Sequence, residues 1–167
     1  MSGLSPADAA AVTAQLGRPV RGAVAVAHRC ACGAPDVVTT SPTLPDGTPF
    51  PTVYYLTCPR AASAIGTLEG SGLMRDMEER LAVDDELAAD YRAAHEAYLA
   101  DRAALGRVDQ IDGISAGGMP DRVKCLHVLA AHALAAGPGV NPLGDEVVAL
   151  IAPWWERNPC GLPGPQQ

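Results

Sequence analysis

Residues 22–59 read GAVAVAHRC, ACGAP, DVVTT, SPTLPDGTPFP and TVYYLTCP in turn, and this stretch decides the fold. Side chains alternate across a strand, so Val24, Val26, His28 and Cys30 share one face of the first segment. Cys30–Pro35 turns the chain, and DVVTT reads as a second strand. Residues 41–51 form a long loop around a PDG turn. TVYYLT, rich in β-branched and aromatic residues, is the third strand. Three strands joined in series predict a small antiparallel sheet.

The flanking sequence is helical. Ser5 caps a helix with Pro6 at its first position, Asp8 follows in the first turn, and Gly17 ends it near Leu16. Pro59 opens a helix that ends near Gly70, and LMRDMEERLA is a short amphipathic one. Asp84 or Asp85 caps a longer helix to about Leu105, with Leu87, Tyr91, Ala94 or His95, Tyr98 and Leu105 on one stripe. GRVDQIDGISAGG is a connector. Pro120 is expected to start a helix DRVKCLHVLAAHALAA, stopped by Gly137-Pro138. A last helix from Asp145 is ended or kinked by Pro153. The fold class is α+β: one domain over residues 1–152, a three-stranded antiparallel sheet packed with about five helices. Residues 153–167 form a Pro/Gly-rich tail in which Cys160 is a bystander.

Composition narrows the function classes. The chain has 167 residues, enough for one domain, and a single phenylalanine, so Ala, Val, Leu and a few Tyr build its core. Twelve basic against 19 acidic side chains give a net charge of −7. That balance argues against a phosphate-backbone binder, so nucleic acid is not an expected partner. No stretch approaches the roughly 20 apolar residues that span a bilayer, so membrane insertion is not expected. The start, MSGLSPADAAAV, lacks the basic and apolar runs of a signal peptide, and a cytoplasmic location is expected. Thiols stay reduced there, so the five cysteines point to metal, catalysis or burial before disulfides.

Cys30, Cys58 and Cys125 lie in three separate segments, each beside a structural marker. Cys58 precedes a helix-initiating proline, which places its sulfur at a helix N-terminus where free N–H groups favour thiolate. Cys30 and Cys32 form a C-x-C in a Gly/Pro turn, a weaker signal than C-x-x-C. On a helix beginning at Pro120, Cys125 and His132 fall within about 20° of each other but roughly 10 Å apart along the axis. His127 then points almost the opposite way. His28 shares a strand face with Cys30. For His95, His127 and His132, a hydrogen-bonded place in the core competes with ligation. The acids from Asp76 to Asp101 read as a solvated helix face. GISAGGMP lacks the spacing of a P-loop.

DGTPFPTVYYLTCP, LEGSGLM, RVKCLH…AH and GVNPLGDE, in that order, resemble the bacterial domain-of-unknown-function family 501 over roughly Gly17 to Leu150. The family brings no established activity. The resemblance implies that Cys30, Cys58, Cys125, His127 and His132 occupy motif positions, and that Cys32 is less typical. Some members carry more histidine in the last long helix, where this chain has Leu129, a departure that weighs against a multi-histidine centre. Members are often encoded near a membrane-anchored division protein and an exopolyphosphatase-like enzyme, which implies a link to division or the envelope.

Three functions remain open on these residues. The first is a metal site in which Cys30, Cys58 and Cys125 are joined by His132, His127 or His28. Such a set suits tetrahedral zinc or an iron–sulfur cluster. The second is a thiol enzyme with Cys58 as nucleophile and a helical histidine as base. The third is an interaction module with buried cysteines, meeting an unknown protein partner through the 41–52 loop or Trp154-Trp155.

Overall fold

The computed structural model describes residues 3–156; Cys160 and the rest of the tail from 157 onward lie outside the described residues. Strands β1 (Ala23–Arg29), β2 (Pro35–Thr40) and β3 (Tyr54–Leu56) form one antiparallel sheet in the order β1-β2-β3. Gly33, at φ +90°, supplies the left-handed conformation of the β1–β2 turn, where Cys30 donates its N–H to the Ala34 carbonyl. Register shifts interrupt the β1–β2 ladder, so the alternation expected of Val24 to Cys30 is only partial.

Consecutive residues Asp36, Val37 and Val38 of β2 are all buried, so both faces of the central strand are covered. Helix α1 (Pro6–Leu16) packs on β2, its Gln15 amide donating to the Pro35 carbonyl. The 41–53 loop holds its turn through Asp46, which accepts the Thr48 N–H.

Six α-helices are present among the described residues: after α1 come α2 (Pro59–Glu69), α3 (Leu73–Val83), α4 (Asp85–Leu105), α5 (Leu126–Ala136) and α6 (Pro142–Ile151). Ser5, Cys58, Asp84 and Asn141 cap α1, α2, α4 and α6 with their side chains. On α4 the inward stripe is Tyr91, Ala94, His95, Tyr98 and Arg102; Leu105 faces solvent. Arg102 replaces it by donating to the Pro51 and Ile111 carbonyls, clamping the long loop to the helix.

Helix α5 begins at Leu126 rather than Pro120. Residues 120–125 find partners outside a helix. Gly118 and Gly117 accept the Arg122 and Lys124 N–H groups, Glu78 accepts that of Val123, and Tyr91 donates to the Arg122 carbonyl. The last helix likewise starts earlier than Asp145, at Pro142, because Asn141 caps it.

Leu126, Leu129, Ala130, Ala131, His132 and Ala133 are all buried, so α5 is the central helix, touching all three strands and α6. Its crossing with α6 depends on Gly144, where a Cβ would overlap the Leu129 carbonyl. Trp154 and Trp155 pack edge to face, 4.6 Å between centroids, over the core as a partial cover.

Gly144→Ala should therefore cost about 3 kcal/mol or more in chemical denaturation, the upper range for overpacking. Gly66→Ala, in open space on α2, should instead stabilise by about 0.5–1 kcal/mol.

Candidate functional site

Glu69 is the last residue of α2, where the carbonyl end of the helix disfavours a carboxylate. Its side chain crosses to the opposite kind of helix end. Oε2 accepts the N–H of Leu126, the first residue of α5, at 2.9 Å. Cys125, in extended conformation, is the N-cap of α5, with its sulfur beside the amides of the first turn. His127, one residue into the helix, donates from Nε2 to the Ala62 carbonyl at 3.1 Å and turns Nδ1 to Glu69 Oε1, also 3.1 Å away.

One ligand atom each from Glu69, Cys125 and His127 lies within 4.8 Å of the other two. Among the described residues this is the one group of three or more acid, cysteine or histidine side chains so gathered. The cluster is neither buried nor fully open: the His127 and Glu69 side chains are 32 % and 25 % exposed.

Electrostatics couple its members. His127 is pushed up to about 9, first by its hydrogen bond to Cys125 and then, against burial, by the Glu69 charge and the Ala62 carbonyl. Burial works to raise the Cys125 thiol, but the bond to His127 and the amides of the first turn of α5 outweigh it and hold the thiol below its usual range. Cys125 and His127 line an open cleft of about 320 Å³ with Leu16, Thr52, Tyr54 and Tyr55.

The other residues singled out in the sequence sit elsewhere. Cys58 does cap α2, its sulfur accepting the Ala61 N–H at 3.5 Å, but it has no exposed surface. Cys30 shares the buried core cluster with Cys58, Cys32 is exposed in the turn, and none of the three belongs to the Glu69 group. His28 is engaged by Asp36, 2.7 Å from its Nδ1. His95 pairs with Ser115.

The expectation that Cys125 and His132 share a helix face, with His127 opposite, is overturned because Cys125 precedes the helix. Cys125 meets His127 instead. His132 is fully buried, accepts from Asn141 at Nδ1, stacks on Tyr54 and meets Tyr98 edge to face.

Glu69 was not singled out in the sequence, although LEGSGLM contains it. Its signal was an acid at the last position of a helix, directly before the closing glycine, where the dipole opposes it.

Burial pushes His132 down to about 4 from a usual 6.5. As pH falls, the unfolded chain therefore binds this proton first, so stability is complete above about 6.5 and declines between 6.5 and 4. The loss expected from His132 is on the order of 3 kcal/mol. Urea titrations across that range should show it in the wild type, and His132→Phe should flatten that part of the profile even if less stable overall. An unchanged pH slope in the variant would remove His132 as the cause.

The family model described as "Protein of unknown function (DUF501)" matches residues 26–149. That span holds most of β1, all of β2 and β3, the whole Glu69–Cys125–His127 cluster and most of α6. No curated protein and no solved structure matches the chain. With most of its length inside that match, the chain belongs to the DUF501 family of proteins of unknown function.

Proposed function

We propose that the protein binds a metal ion through Glu69, Cys125 and His127, and that the ion is zinc. The observation that carries this reading is the way the three ligand atoms are left over. Glu69 Oε2 and His127 Nε2 are occupied by Leu126 N–H and the Ala62 carbonyl, which leaves Oε1, Nδ1 and Sγ turned to one another. A histidine ligand whose second ring nitrogen donates to a backbone carbonyl is the usual outer-shell arrangement of metal sites.

Mixed sulfur, nitrogen and oxygen donors suit zinc, whereas iron–sulfur clusters rely on several thiolates and this cluster offers one. Three protein ligands would leave a fourth position open, and two of them, Cys125 and His127, line the cleft. That is the arrangement of zinc sites that activate water or polarise a carbonyl. A reduced thiolate ligand is compatible with a cytoplasmic location, and the net charge of −7 argues for a partner other than nucleic acid.

Protein purified anaerobically should carry close to one zinc per chain by elemental analysis. Cys125→Ser and His127→Ala should lose it, while Cys58→Ser, if folded, keeps it. Cobalt substitution should give a thiolate-to-metal absorption band that Cys125→Ser abolishes. A wild type that holds no zinc and takes up no cobalt would sink the reading.

One observation favours a second reading, a thiol enzyme centred on Cys125 instead of Cys58. Cys125 lines the cleft and touches an imidazole, whereas Cys58 has no exposed surface. In the presence of a chelator, Cys125 should then alkylate with iodoacetamide about tenfold or more faster than exposed Cys32, as mapped by mass spectrometry. Equal labelling of the two would count against it.

A further inference from the structure

The chain's single phenylalanine is not in the core. Phe50 lines a second surface cleft of about 360 Å³ with Val20, Leu44, Tyr55, Arg18 and Arg21. The wall is apolar and aromatic, and the charged groups on it are both cations, in a chain whose net charge is −7. Arg21 is paired with Asp46 at 3.0 Å, which ties the 41–53 loop to the segment before β1. Arg18 has no carboxylate partner among the described residues; its one recorded bond is a long one, 3.4 Å, to the Tyr55 hydroxyl.

Tyr55 is also a wall of the cleft that holds Cys125 and His127, so the two clefts adjoin across one side chain. We propose that the Phe50–Arg18 cleft binds a small organic anion, its apolar body against Phe50, Leu44 and Val20 and its carboxylate or phosphate at Arg18, as the ligand presented to the neighbouring centre. The assignment of that ligand to the centre rests on the metal reading above; the binding itself does not.

Charge complementarity selects the anion. A guanidinium offers planar, paired N–H donors that match a carboxylate or phosphate, and such charge-assisted bonds are the stronger ones. The apolar wall selects against a bare inorganic ion, since Phe50, Leu44 and Val20 gain only from an attached hydrocarbon. Tyr55 then has two roles. Its hydroxyl orients Arg18, and its ring divides the anion's cleft from the thiolate's.

The test is an NMR titration of the full chain with phenyl phosphate, with benzyl alcohol and inorganic phosphate in parallel. Phenyl phosphate should shift the amides of Arg18, Phe50 and Tyr55. The two fragments should each bind about tenfold or more weaker, and Arg18→Gln should weaken phenyl phosphate by a similar factor. Arg18 is exposed, so the variant should keep the wild-type spectrum elsewhere. Absence of binding, equal binding by Arg18→Gln, or inorganic phosphate binding as tightly as phenyl phosphate would each overturn the proposal. Zinc content measured on the same samples separates the two readings. Zinc without phenyl phosphate binding removes the anion cleft alone, and binding without zinc removes the metal centre alone.

Discussion

A helix packed against the core along most of its length cannot leave its first amide groups to water, and α5 is such a helix. Its N-terminal N–H groups need acceptors brought from elsewhere in the chain. Glu69 of α2 takes the Leu126 amide, and Glu78 of α3 takes that of Val123 in the segment leading into the helix. These two carboxylates fix where α5 begins, and hence where Cys125 and His127 stand relative to each other. Along its middle turns α5 is fixed by contact with α6. Gly144 lets the backbones approach, and Asn141 caps α6 while holding the His132 ring.

This arrangement explains why the fold was more legible than the site. Strand order follows from local signals: alternation, the Gly33 turn, the PDG turn and the β-branched third strand. Helix caps at Ser5, Cys58 and Asp84 follow from residue type and spacing. The start of α5 does not, because it depends on Glu78 and Glu69 reaching across more than 40 residues of sequence. The local signal at Pro120 is a proline followed by a helix-forming run. The tertiary acceptors decided otherwise.

The same long-range bonds rearranged the candidate site. Moving the helix start by a few residues took Cys125 out of the helix and brought it to His127. Cys58 kept the local role its position implied, and its burial separated that role from reactivity. His132 illustrates a different limit: its spacing said helix, but only the packed rings of Tyr54 and Tyr98 and the amide of Asn141 show it to be a neutral core group. Glu69 was legible in principle, as a charge at the wrong end of a helix dipole.

Because Glu69 is at once a helix cap and a member of the cluster, genetics at that position will conflate two effects. Losing an N-terminal helix acceptor typically costs about 1 kcal/mol, and a change of that size alone can alter a protein's abundance severalfold in a cell. A null phenotype for a Glu69 allele would then report degraded protein as readily as a disabled site. The acceptor for the Leu126 amide is Glu69 and not Cys125, so the Cys125 sulfur can be exchanged for a serine hydroxyl with that bond left in place. Alleles of Cys125, scored alongside protein level, are the ones from which a cellular role can be read.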